Sequence, residues 1–169
     1  AGRAERSADT LLTLMPAAGH MVHMPSHIYQ RVGRYADAIR SNELAVAADE
    51  DYITQCRAQG LYPMAYYPHN IHFLWFAAMF DGQQAQALTA ARKVAAKIDD
   101  ATLASMPMLA GFRVVPYWTL VRFGRWEEML KEPAPPASND FLTGAWHYGR
   151  GEALVATGKL IDAKRELAA

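Results

Sequence analysis

Four times along the chain a glycine closes an apolar helical run: in QRVGRYADAI, MFDGQQAQAL, VRFGRWEEML and VATGKLIDAK. These are Gly33, Gly82, Gly124 and Gly158. Glycine ends a helix in a left-handed turn without steric cost, so each marks a place where one helix stops and the chain reverses into the next. Five residues beyond each glycine stand Ala38, Ala87, Met129 and Ala163, three of them small enough to let two helices approach closely. Punctuation of this kind, repeated, selects pairs of antiparallel helices. Apolar spacing predicts helices near 3–15, 25–33, 35–59, 69–81, 84–99, 101–110, 112–123, 125–131, 140–157 and 159–168, and no segment shows the period of a strand. The expected fold is all-α: a right-handed stack of about four helix hairpins, with residues 1–169 forming one domain.

The first unit, MPSHIYQRVGRYADAIRSNELAVAADE, carries the fullest set of marked positions: Gly33, Tyr35, Ala38, Ala45 and Asp49. In these places it resembles the tetratricopeptide repeat. The glycines lie 49, 42 and 34 residues apart, the last interval equal to that family's period and the others implying insertions. Gln84 and Val94 stand where the repeat pattern has an aromatic residue or leucine and an alanine, and Pro133, Pro135 and Pro136 cut the third pair short. More narrowly, HMPSHIYQRVGRY and CRAQGLYPMAYYPHNIHFLW resemble a divergent bacterial group of such proteins. The resemblance implies a solenoid whose concave groove receives a peptide, a protein or a small ligand. Leu160, Ile161 and Leu167 keep the last helix apolar with no capping helix after it, which is expected of a piece of a longer array or of an end covered by a partner.

Charge and composition narrow the partners. Seventeen basic residues offset seventeen acidic ones, so no long-range field favours nucleic acid or an anionic membrane, and no apolar run reaches the roughly 20 residues that span a bilayer. Cys56 is the single cysteine, which excludes an internal disulfide and any zinc site built on two thiolates. AGRAERSADTLLTLMP reads as a helix rather than a secretory signal, so the start looks like a cut in a longer chain, and the cytoplasm is the default expectation. No phosphate loop, GxSxG elbow, HExxH or CxxC is present. Ser26 beside His27 is no triad, because helical neighbours diverge by about 100°.

HMVHMPSHIY places His20, His23 and His27 within eight positions. They lie thirteen, ten and six residues before Gly33, and His69 and His72 lie thirteen and ten before Gly82. In the repeat family these offsets face the groove, and neighbouring groove helices stand about 8–10 Å apart, so the two histidine sets converge. Imidazoles three or four residues apart on a helix suit zinc, copper, nickel or iron. The expected metal ligands are His23, His27, His69 and His72, with His20 or Cys56 near them and zinc or copper as the ion. Against this stand the lack of a carboxylate in those helices and Pro25, which is expected to turn His20 out of line with His27. The alternative is a network of neutral imidazoles contacting a bound peptide or the tyrosine-rich segment that follows.

That segment, GLYPMAYYPHN at 60–70, is expected to be an irregular loop over the groove, offering Tyr62, Tyr66 and Tyr67 either to a ligand or to packing. Cys56 is expected to be a buried structural thiol, and KEPAPPASND at 131–140 an exposed linker. Phe76, Met79, Phe80, Val114 and Trp118 supply an apolar groove floor, with Arg31 and Arg122 to take a carboxylate. Nothing identifies a reaction. The first expectation is therefore a binding scaffold whose ligand meets His20, His23, His27, Arg31, Tyr66, Tyr67, His69, His72, Phe76, Trp118 and Arg122; the second is a metal-dependent protein using the histidines.

Overall fold

The computed structural model describes residues 2–168, and every regular element among them is helical. The α-helices are α1 (Glu5–Leu14), α2 (Gly19–His23), α3 (Ser26–Val32), α4 (Tyr35–Cys56), α5 (Tyr67–Asp81), α6 (Gln84–Ala95), α7 (Asp100–Ser105), α8 (Ala110–Arg113), α9 (Val115–Arg122), α10 (Trp126–Lys131), α11 (Asp140–Ala156) and α12 (Leu160–Ala168). No helix among them is long and apolar enough to cross a membrane. The chain divides between Lys93 and Val94 into two compact units.

All four marked glycines take positive φ: 79° at Gly33, 76° at Gly82, 64° at Gly124 and 76° at Gly158. Each turn closes with the same bond, in which the N–H after the glycine donates to the carbonyl five residues back. The pairs are Arg34 to Tyr29 at 2.9 Å, Gln83 to Ala78 at 2.9 Å, Arg125 to Leu120 at 2.8 Å and Lys159 to Leu154 at 2.8 Å. This is the Schellman closure, which satisfies carbonyls that a helix end leaves orphaned. The following residue group then opens the next helix, as Ala38 N–H donates to Arg34 O at 3.1 Å.

In the first unit α4 is the central element, packed by α2, α3 and α5. Ala38, Asn42, Ala45 and Asp49 recur along it at spacings of four, three and four residues, and all four are fully buried. That stripe brings α4 close to its neighbours, and it carries two polar groups into the core. Two expectations fail here. Residues 19–23, left outside the expected helices, form α2, and the segment 60–70 is wound rather than irregular. Tyr62–Tyr66 is a π-helical turn, closed by Tyr67 N–H donating to Tyr62 O, and it runs straight into α5. The prolines that suggested a loop sit in the first turns of these segments, where a helix has no use for their missing N–H.

In the second unit α11 packs on α9 and α10 as well as on α12. Where the first two repeat units place alanine, the third has Met129, fully buried, and Gly149 of α11 makes the room: a Cβ there would stand 2.8 Å from Met129 Sδ. Of the proline-rich 131–140 stretch, residues 132–139 connect α10 to α11 without helix, as expected, and end on Asn139, whose side chain accepts from Leu142 N–H at 3.0 Å to cap α11.

Candidate metal centre

The site belongs wholly to the first unit and is assembled from α2, α3 and α5 on the platform of α4. Gly19 starts α2 and fixes how closely it can lie: a Cβ on that residue would fall 1.9 Å from Asp49 Oδ1 and 2.7 Å from Ala45 O, so only glycine fits. Ser41 Oγ donates to Val22 O at 2.6 Å and ties α2 down further. These constraints aim His20 and His23 at α5, which presents His69, while α3 adds His27.

His23 is the hub. Its Nε2 lies 3.0 Å from His27 Nε2 and 3.1 Å from His69 Nε2. Its other nitrogen, Nδ1, lies 2.7 Å from Asn42 Oδ1, and Asn42 Nδ2 is committed as a donor to Ala38 O at 2.7 Å. The amide oxygen is therefore what faces His23, and an oxygen only accepts, so Nδ1 carries the proton and Nε2 carries the lone pair. Ser26 Oγ lies 3.4 Å from the same Nδ1. His20 stacks on His23 with ring centroids 5.3 Å apart, and His20, His23 and His69 each offer a ligand nitrogen within 4.8 Å of the others. His20 Nδ1 is buried and has no hydrogen-bond partner. Phe73 closes one side, its ring 4.6 Å from His23, 4.5 Å from His27 and 4.6 Å from His69 between centroids.

Burial favours the neutral form of His23, His27 and His69. It drives His23 down to about 3, opposed by the Asn42 hydrogen bond and assisted by the neighbouring histidines, and it drives His69 down to about 4. His27 is lowered too, by burial and then by the charges of His20 and Arg31. A neutral imidazole with a free Nε2 is the form that ligates metals.

Behind His20 lies a second polar layer. Tyr62 hydroxyl donates to Asp49 Oδ1 at 2.6 Å and accepts from His20 N–H at 3.3 Å; Asn70 Nδ2 donates to Asp49 Oδ2 at 2.7 Å. Burial pushes the Asp49 carboxyl up, against those two hydrogen bonds, and pushes the Tyr62 phenol up to about 12. Tyr66 meets His20 edge-on at 4.7 Å and stacks on Tyr62 at 5.4 Å.

Measured against the sequence expectation, the structure brings His20, His23, His27, His69 and Tyr66 together. His72 is not in the three-histidine group; three residues beyond His69 on α5, its ring turns about 60° away and lies 4.9 Å from Trp75. His20 takes its place: Met24 and Pro25 keep right-handed helical dihedrals between α2 and α3, so that proline does not remove His20 from the cluster. Tyr67 is buried and donates to Glu50 Oε1 at 2.6 Å, away from the histidines. Arg31 is exposed on α3, and Phe76 pairs with Phe80 at 4.5 Å. Trp118 and Arg122 belong to the second unit, on α9. Cys56 is exposed rather than buried, at the end of α4, where it lines a separate cavity with Leu12, Val22 and Tyr52. Asn42, Asn70, Gly19 and Phe73 were not singled out from sequence. For Asn42 a signal exists: it is a polar residue on the buried stripe of α4.

Compared with models of known families, with characterised proteins and with solved structures, the chain matches none.

Proposed function

We propose that this chain is a metal-binding helical repeat protein in which His20, His23 and His69 hold a transition ion, with zinc the best fit. The observation that carries the reading is the hub: one lone pair, on His23 Nε2, faced by two further imidazole nitrogens at 3.0 and 3.1 Å. An imidazole nitrogen has a single in-plane lone pair and accepts one N–H well. A neutral network therefore leaves one of the two contacts without a good hydrogen bond, and His20 Nδ1 without any. An electrophilic ion held by His20, His23 and His69 gives the hub lone pair a single partner. Tetrahedral zinc with N at about 2.0–2.1 Å separates its ligands by roughly 3.3–3.4 Å, so the His23–His69 pair at 3.1 Å needs to open only by tenths of an ångström, while the rest of the group, spread over as much as 4.8 Å, closes onto the ion. An all-imidazole donor set suits zinc, copper or nickel and disfavours calcium and magnesium, which seek oxygen. The repeated Schellman turns support a tetratricopeptide-like series of hairpins, and within the first unit α4 packs against α2, α3 and α5, which carry the site.

Purified protein titrated with zinc against a chromogenic chelator should bind one ion per chain. His23→Ala should remove the binding, His20→Ala and His69→Ala should each weaken it at least about tenfold, and His72→Ala should leave it intact. Loss of binding in His72→Ala with retention in His20→Ala would move the site elsewhere.

A further inference from the structure

Resting on the metal reading, we infer that the bound ion keeps one coordination place for an external anion of the carboxylate class, and that His27 is the residue that secures this anion rather than a fourth ligand. Charge is the first ground. Among the described residues no carboxylate hydrogen-bonds His20, His23, His27 or His69, and the group that orients the hub is the neutral amide of Asn42 at 2.7 Å. Three neutral imidazoles leave a divalent ion its full double charge. The charged groups facing the cluster are Arg31, beside His27, and Asp49, beside His20. They offset each other, and Asp49 is already taken up by Tyr62 and Asn70 at 2.6 and 2.7 Å. A double charge set against Phe73 and the core is stabilised by an anion brought to the ion.

Geometry is the second ground. The three-histidine group leaves a four-coordinate ion one place short, the arrangement of sites that take water or substrate rather than closed structural ones. His27 Nε2 lies 3.0 Å from the hub nitrogen but outside that group. With His27 Nε2 taken as the donor to the hub, an ion that takes the His23 lone pair frees that N–H to donate to an oxygen held on the ion. Phe73 shuts one side, whereas His20 and His69 are half-buried and Tyr66 is exposed, so a small anion reaches the ion from the Tyr66 side.

Cobalt(II) substitutes for zinc in such donor sets and reports its ligands through visible absorption. The cobalt-loaded protein should show a saturable spectral change on titration with sodium acetate, and none with sodium perchlorate at matched ionic strength. His27→Ala should retain cobalt and bind acetate at least about tenfold more weakly, while His27→Gln, which keeps an N–H donor, should stay within a few-fold of the native chain. A loaded protein whose spectrum ignores acetate would overturn this inference and leave the metal reading standing. Acetate binding unchanged in His27→Ala would remove His27 from the role. Failure to bind cobalt or zinc at all would overturn both readings.

Discussion

Asn42 decides which nitrogen of His23 carries the proton, and it does so from inside the buried stripe of α4. Its amide is itself fixed by Ala38 O, so the orientation is not free to reverse. Replacing Asn42 by Ala removes the acceptor for His23 Nδ1–H, lets the ring take the other tautomer and leaves a buried donor unpaired. Zinc affinity is expected to fall about 10- to 100-fold, as for other groups that orient a ligating histidine, while far-ultraviolet circular dichroism stays unchanged. Chelator competition measures the first and spectroscopy the second; unchanged affinity would mean that the tautomer is set by something else. Histidines at helical spacing are visible in a linear sequence, so four members of the cluster were legible. Their partner was not, because Asn42 matters through what α4 packs against. His72 shows the complementary error: an offset counted from a glycine names a position on a helix, and the His72 ring lies beside Trp75 and outside the three-histidine group.

At the scale of elements, helices and their ends were legible because glycine at a reversal is a local requirement. The four turns share one bond pattern, and neither the bulk of the following residue nor the length of the insertion before it changes that. Elements 19–23 and 62–66 were less legible. Each is about one turn long, too short for a hydrophobic period, and each is wound because tertiary contacts such as Ser41 to Val22 and Tyr62 to Asp49 hold it. The Met129 and Gly149 pair supplies a test of packing between α10 and α11. Gly149→Ala, which drives a Cβ against Met129, should destabilise by about 1–3 kcal/mol, and Met129→Ala, which opens a cavity, by about 2–5 kcal/mol. The double variant should be more stable than the sum of the two, because the new methyl enters the space the sulfur vacates. Simple additivity in urea melts would show that the two side chains do not compensate.

For the molecule as a whole, the buried imidazoles make stability depend on pH in a fixed direction. His23 is held near 3 and His69 and His72 near 4 by burial, against an ordinary value of 6.5. A depressed folded value means that the unfolded chain takes up protons first. Stability is therefore complete above 6.5 and is lost as the pH falls from there towards 4. Each proton taken up only by the unfolded chain costs up to about 1.4 kcal/mol per pH unit, less for the half-exposed His69. Thermal melting with a chelator present should show a plateau from about pH 7 to about pH 8 and a falling melting temperature below about pH 6. A flat profile down to about pH 5 would show that the histidines titrate normally in the folded chain.

The contact between His23 and His69 also joins two points 46 residues apart in the chain. Almost all other order in a hairpin array comes from neighbours close in sequence, so units of that kind fray and reopen piecemeal. A fastening across 46 residues carries a ring-closure entropy that rises only with the logarithm of the span, and whatever tightens it reduces the freedom of the opened chain as well as holding the closed one. The first unit is then expected to open as a single block, with the hub acting as the latch that α2 to α5 have in common.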